Sequence, residues 1–456
     1  MQKPWYTFRF ISTPEQTTRT TTVTKKLEPL LLEESCPSRN VVDVGNYVFL
    51  IFIMFGFGAL LPWNMFINIS HDYYTMYKLR DAAMNTTWQS TNFQNWMTVS
   101  AQIPNLVFSI ASIFCSARGD LTRRMRVCLA IVLMIILITI GCIYADTTTW
   151  ISSFFILTIG TIIVLNAANG LFQNSLFGLA SSFPFKYTNA IIIGQNFCGI
   201  AVTIICMASK AVSSDIQLQA ALFFGFSAFV IITCFILLNV VKKLSFYQRY
   251  DASDILVYDD SEDEKNICED VAQSFSSSKA QFANIFFLFF VTLALFPNVC
   301  MYIKDGTSSD STYNFVIPEN YFMDVTTFLN FNLFAFLGSL TANYIQTPGP
   351  NFIWIAVLAR LWFLFYFPAA NYQPIDSLRH YPVLFESTWV FVLNVTALAF
   401  SSGYLCSLIM MYAPKTHPDP RIQRTIGMIS AFFLIAGVVG GLIFSWQIKL
   451  FIINYS

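Results

Sequence analysis

The chain has 456 residues, 55% hydrophobic and 11% charged, with 47 Phe, 20 Tyr and a formal net charge of zero. Soluble domains carry about 25% charged residues, so a water-soluble globule is excluded, and the balanced charge gives no electrostatic case for a nucleic-acid partner. Ten scattered cysteines without C-x-x-C spacing read as small packing residues, and neither a metal centre nor any other cofactor is expected.

Residues 1–45 have no apolar core of a signal peptide and include the polar tract TTRTTTVTKK, so they are expected to form a disordered cytosolic tail. Within it, EPLLLEE loosely resembles an acidic-dileucine sorting signal. Apolar runs able to cross a ~30 Å hydrocarbon core then recur at about 46–69, 97–117, 126–145, 151–180, 188–209, 217–241, 282–303, 321–345, 351–371, 383–413 and 426–453. Helices satisfy their own backbone polar groups inside lipid, so these runs predict an all-α polytopic membrane protein of about eleven transmembrane helices. The polar break at 242–281 reads as a cytosolic linker loop between an N-terminal six-helix bundle, 46–241, and a C-terminal five-helix bundle, 282–456. Its acidic DDSEDE stretch and following serines also suit phosphorylation, at Ser261 or in the serine cluster.

With the N-terminus in the cytosol, nineteen of the 26 Lys and Arg residues lie on cytosolic segments, six lie outside, and Arg360 alone is intramembrane. That bias predicts a cytosolic N-terminus and an extracellular or lumenal C-terminus. The sequon Asn85-Thr86-Thr87 falls in the first outside loop, where Asn85 can be glycosylated.

Amides, rather than charges, punctuate the spans. Asn166, Asn169 and Gln173 share one helical stripe, Gln102 and Asn105 share another, and Leu60, Trp63, Asn64 and Ile67 form a third that bears an indole and an amide. Such groups either bond neighbouring helices or line a wet cavity, and a cavity of this lining suits a neutral, planar, hydrogen-bonding solute. Gly56 and Gly58 permit close helix approach, and Pro62 bends the first helix so as to aim Trp63 inward. Arg360 costs roughly 2.5–3.5 kcal/mol at mid-membrane, so it needs a purpose, either snorkelling to the cytosolic side or gating through carbonyls and cytosolic loops. Asp324 and Glu386 are expected to be solvated at outer helix ends. No H-E-x-x-H or G-x-S-x-G motif suggests an enzyme.

GFGALLPWNMFINI resembles the first-helix signature of the equilibrative nucleoside transporter family. Matching segments follow in family order: NGLFQNSLFGLASSFPFKYTNAIIIGQNFCGI (169–200), TLALFPNVCMYIK (292–304), FNLFAFLGSLTANYIQTPGP (331–350), AVLARLWFLFYF (356–367) and SSGYLCSLIMMYAPK (401–415). The resemblance implies a major-facilitator-like 6+5 bundle that moves nucleosides, and sometimes nucleobases, by sodium-independent alternating access. It places Leu60, Trp63, Asn64 and Ile67 on the substrate wall, gives Gln173 the reading of the base, puts Phe296 and Pro297 in a gate, and makes Asn332 a polar site position. Ala335 stands where the family pattern has Asp, and Ser339 stands at, or one residue past, its Arg. Two charge-assisted hydrogen bonds to a sugar, of about 1.5–3 kcal/mol each, are thereby lost. The expectation is a facilitative carrier of nucleosides or nucleobases in the plasma membrane, with an endolysosomal membrane as the other address. The alternatives are a transport-poor sensor or scaffold, or a carrier of another small neutral or cationic solute. Oligomeric state is not readable from these residues.

Overall fold

The computed structural model describes residues 42–454 except 82, 116–119, 213–214, 256–262, 306–312, 314 and 374–378. The chain divides into Met1–Val42 and a compact unit, Asp43–Ser456; the latter is described here. The dileucine-like stretch and Ser261 lie outside the described residues.

The helices run α1 Tyr47–Ile69, α2 Trp88–Cys115, α3 Leu121–Gly141, α4 Ile151–Ser181, α5 Phe185–Val212, α6 Ile216–Val241, α7 Ser245–Ile255 and α8 Asp263–Leu295, then α9 Glu319–Met323, α10 Asn330–Thr341, α11 Ile353–Ala359, α12 Leu361–Ala369, α13 Thr388–Tyr412 and α14 Pro420–Asn454. Among the described residues, nine helices are long and apolar enough to cross a membrane. The expected spans at 321–345 and 351–371 are instead broken: α9 passes through a π-helical segment, Asp324–Leu329, into α10, and Arg360 separates α11 from α12. Large apolar side chains such as Phe229, Ile156 and Trp446 are exposed, whereas Asn166, Asn169, Gln173, Asn174 and Asn189 are buried. Lipid rather than water is the matching solvent for that arrangement.

Local chemistry explains the helix ends. The Asp43 carboxylate accepts from the backbone N–H groups of Val48 and Phe49, capping α1, and also from the Tyr187 hydroxyl at 2.9 Å. The turn into α1 needs Gly45 at φ 65°, a conformation that costs glycine little. α8 starts far before the apolar run at 282, because polar contacts carry its first turns: Asp270 pairs with Arg421 at 2.7 Å and Ser278 donates to the Ala413 carbonyl. The polar stretch 242–281 thus contains α7 and the first turns of α8. In the serine cluster, Ser274 and Ser278 are buried, which removes them as phosphorylation sites and leaves Ser276 exposed.

Glycines bring helices into backbone contact. Gly56 faces the Ile191 carbonyl while Gly194 faces that of Ile53, locking α1 to α5. Gly338 faces the Phe400 carbonyl while Gly403 faces that of Ala335, locking α10 to α13, and Gly437 and Gly441 lie on the Phe286 and Phe290 carbonyls of α8. A side chain at any of these positions would separate its pair, the close approach typical of membrane helices. Gly58 makes room for the Cys234 thiol, and Pro62 is buried within α1.

Candidate functional site

The intramembrane amides separate into those whose hydrogen bonds are used by the fold and those whose are not. Asn166 donates to its own helix at Ile162, and Asn174 exchanges two bonds with Ser109 of α2, at 2.9 and 2.8 Å. Asn189 donates to the Ser339 carbonyl and to Asn343. By contrast, Gln102, Asn169 and Gln173 have no side-chain partner among the described residues, and the buried Oδ1 of Asn105 is unpaired. The Asn105 Oδ1 is sealed against Gly170 at a cost of about 1–3 kcal/mol, whereas the amides of Gln102, Asn169 and Gln173 are neither bonded nor fully enclosed and can take an external partner.

The unspent amides share one region. On α4 the exposed Ile156, Ile163 and Val164 mark the lipid side, and Asn169 and Gln173, 4% and 6% exposed, project from the opposite side. On α2 the exposed Ile103, Val107 and Ile110 do the same, and Asn105 lies across from them. Asn105 rests on Gly170, where an added Cβ would stand 2.6 Å from its Oδ1. Gly170 adjoins Asn169 and lies close to one turn before Gln173, so Asn105, Asn169 and Gln173 fall within about one helical turn of each other, with Gln102 close to one turn away on α2.

α1 closes a third side, in contact with α4. Leu50 marks its lipid face, and Trp63 lies about 140° round the helix from it, with Ile67, 36% exposed, about 100° away between the two. Leu60 and Trp63 are partly buried, and the indole N–H has no partner among the described residues. Asn64 donates to the Cys198 thiol at 3.7 Å, and the next residue of α5, Gly199, receives Asn332 of α10. Asn332 also donates to Phe328 and Thr203, so its amide is partly spent on structure.

Other residues singled out from the sequence lie elsewhere. Ala335, 2% exposed, is packed under Gly403 and accepts from Asn196 through its carbonyl, and Ser339 is fully buried with its hydroxyl on Phe336. Both sit in helix seams in this structure. Phe296 stacks on Phe331 at 3.8 Å and meets Phe328 edge-on, and the Phe296–Pro297 peptide is cis. Arg360 is buried and donates to the Leu398 carbonyl, the Ser401 hydroxyl and the Thr292 hydroxyl. Three such bonds of about 1.5–3 kcal/mol each offset the roughly 2.5–3.5 kcal/mol insertion cost. The Arg360 side chain therefore ties α8 to α13 and does not snorkel. Asp324, expected to be solvated, is buried in the π-helical segment. Asn85 is exposed in a turn in which its backbone N–H bonds the Asp81 carboxylate at 2.7 Å, holding that carboxyl below its ordinary pKa.

Sequence reasoning missed the closure at the end where α4 turns into α5. There Lys415 donates to the Ser181 carbonyl at 3.3 Å and lies over the Phe185 ring, Gly178 packs on Met428, and Gly427 packs on Phe177 and Ser181. Toward the opposite end Asn332 and the π-helical segment still meet α5 near Gly199 and Thr203, and beyond them Lys78 bonds the Ala145 carbonyl, Asn371 bonds Lys304, and Arg379 bonds Ala370 and Pro382. Backbone carbonyl contacts of this kind leave no residue-type signature, which is why they could not be read in advance.

Comparison with known proteins gives this arrangement a lineage. A family model described as nucleoside transporter matches residues 159–450. Equilibrative nucleoside transporter 1 of Homo sapiens is 31% identical over 453 residues, covering 88% of this chain and 96% of that protein. Equilibrative nucleoside transporter 3 of Rattus norvegicus is 27% identical over 429 residues, covering 88% of each. Among solved structures, a major facilitator superfamily proton:xylose symporter superposes with a TM-score of 0.56 at 13% identity over 89% of both chains. A human organic anion transporter superposes at 0.53 over 92% of this chain and 95% of that one, also at 13% identity. At these identities the structural likeness establishes the fold alone, a major-facilitator-like helical bundle. An integral, multi-pass membrane protein, the chain belongs to the nucleoside transporter family, whose members are transporters and not enzymes.

Proposed function

We propose that the protein is a facilitative carrier of nucleosides, with free nucleobases as smaller cargo, working by alternating access in the plasma membrane with its N-terminus cytosolic. One observation carries the reading: Asn105, Asn169 and Gln173 hold incompletely bonded amides within about one helical turn on the sides of α2 and α4 turned from lipid, with the Trp63 indole on α1. Amides that both donate and accept match the edge of a heterocyclic base, and an indole offers its ring a stacking face. None of these side chains titrates, which suits a neutral solute moved without sodium or a proton. Leu60, Ile67 and Gln102 complete the proposed wall. The closure by Lys415, Gly178 and Gly427 seals the cytosolic end, so cargo enters from the Asn85 side, and Phe296 stacked on Phe331 forms part of the gate. The two broken segments, 319–341 and 353–369, complete eleven crossings. With Ala335 and Ser339 in place of an Asp and an Arg, base contacts dominate recognition and sugar contacts contribute little.

Uptake of labelled uridine, adenosine and adenine by cells lacking their own carriers, scaled to surface protein, tests this directly. Saturable uptake independent of sodium is expected for at least one nucleoside. Background uptake of all three by protein verified at the surface would instead favour the transport-poor sensor.

A further inference from the structure

Gln195 of α5 has so far been assigned no role. Phe197 and Ile204, 45% and 52% exposed, mark the lipid side of that helix, and at about 100° per residue Gln195 projects roughly 160–180° away from both. Ile191, Gly194 and Cys198 face α1, while Asn196, Gly199 and Thr203 face α10. Gln195 falls in the angle between these two seams, toward the centre of the protein. It is only partly buried although turned from lipid, so it borders internal space. Its Nε2 is buried and has no acceptor among the described residues, so that N–H gains a partner only when a turn about the last side-chain bond brings it to the open side to meet an acceptor on the cargo. Asn64 and Asn332, its polar neighbours along the two seams, have their own amides engaged by Cys198, Phe328 and Thr203.

Depth makes the position specific. α4 ends at Ser181 and α5 begins at Phe185, so the two helices leave one short turn together. Gln173 precedes that turn and Gln195 follows it by similar lengths, roughly 12 and 15 Å at 1.5 Å per residue. Two carboxamides therefore stand at nearly the same height on consecutive helices, each without a protein partner on its free end.

We propose that Gln195 is a second specificity-determining residue, whose side-chain N–H donates to a ring carbonyl of the cargo at the level of Gln173. Oxo-substituted rings such as those of uridine and inosine satisfy this donor, and the 6-amino edge of adenosine does not. Preference for the carbonyl-bearing ring follows, because an amino group facing an amide N–H leaves two donors opposed. This inference rests on the nucleoside reading above and adds a chemical class to it.

The test is inhibition of labelled uridine uptake by unlabelled inosine and adenosine, in surface-matched wild type, Gln195→Leu, Gln195→Glu and Gln173→Ala. In Gln195→Leu the apparent affinity for inosine is expected to fall about five- to tenfold and that for adenosine less than twofold. Gln195→Glu, which replaces the donor by an acceptor, is expected to shift the inosine-to-adenosine ratio in the same direction and further. If both Gln195 variants keep the wild-type ratio while Gln173→Ala weakens all ligands, the proposal for Gln195 is overturned and the nucleoside reading stands. A wild type that moves none of these solutes overturns both. Should Gln195→Leu fail to reach the surface, the ratio in Gln195→Glu decides alone.

Discussion

Asn105 and Gly170 are in backbone-level contact across α2 and α4: a Cβ at 170 would meet the Asn105 Oδ1 at 2.6 Å and its carbonyl oxygen at 2.8 Å. The side chain could turn away, but the carbonyl cannot move without shifting α2. Gly170→Ala is therefore expected to part the helices, at a cost of about 1–3 kcal/mol, and to lower surface-scaled uptake about tenfold. Removing the side chain as well, in Gly170→Ala with Asn105→Ala, should restore little, because the carbonyl clash remains. Full recovery of thermal stability in the double variant would show that only the amide, and not the backbone, sets the spacing.

Gln173 and Asn174 are adjacent amides with opposite assignments. Asn174 is tied to Ser109 by two bonds and Gln173 has no partner among the described residues. Gln173→Ala should lower uptake at least several-fold through a higher KM, with normal surface abundance. Asn174→Ala strands Ser109 in a buried seam and should cost about 1–3 kcal/mol of stability, seen as a lower melting temperature with KM unchanged. The reverse pattern would move the site off the Gln173 face of α4.

These contrasts mark how far the residues could be read without coordinates. The stripe of Asn166, Asn169 and Gln173 was legible because the helical period alone places them together, and the same period put Trp63 on a stripe with Leu60, Asn64 and Ile67. Their separate fates were not legible: Asn166 bonds its own helix at Ile162, and such a bond depends on a rotamer, not on spacing. Ala335 and Ser339 were expected at the site from the family resemblance, yet the glycines at 338 and 403 draw α10 so close to α13 that Ala335 is sealed. The early start of α8 was hidden because Arg421 and Ala413, distant in sequence, hold its polar turns.

Asp120 couples helix capping to charge at the start of α3. Its carboxylate accepts from the Thr122 N–H at the start of α3 and pairs with Lys242 at 3.4 Å. Burial pushes this carboxyl up, but Lys242 and the backbone N–H groups outweigh it and hold it below its ordinary value. A depressed carboxyl contributes stability above its unfolded pKa and loses it as pH falls through the folded one, so the contribution fades below about pH 4. Asp120→Asn keeps the cap and removes only a half-exposed ion pair, so little change is expected at pH 7; Asp120→Ala loses the cap and should cost about 1 kcal/mol. Thermal unfolding at pH 7 compares the two, and equal losses would place the weight on the charge instead.

Lys415 is the remaining lever, because its ammonium reaches across the closed end to the last carbonyl of α4. Lys415→Met keeps an apolar stem against Phe185 and deletes the bond to Ser181. If that bond helps hold the end shut, the variant populates the form open to the cytosol more often. Ser339 is fully buried in the closed arrangement, so a Ser339→Cys reporter should react slowly with a thiol reagent applied from the cytosolic side. The labelling rate is expected to rise several-fold when Lys415→Met is added, and saturating nucleoside on the opposite side should lower it again by drawing the carrier into cargo-bound forms. An unchanged rate would assign closure to the Gly178–Met428 and Gly427–Phe177 packing, with Lys415 a passive surface cation.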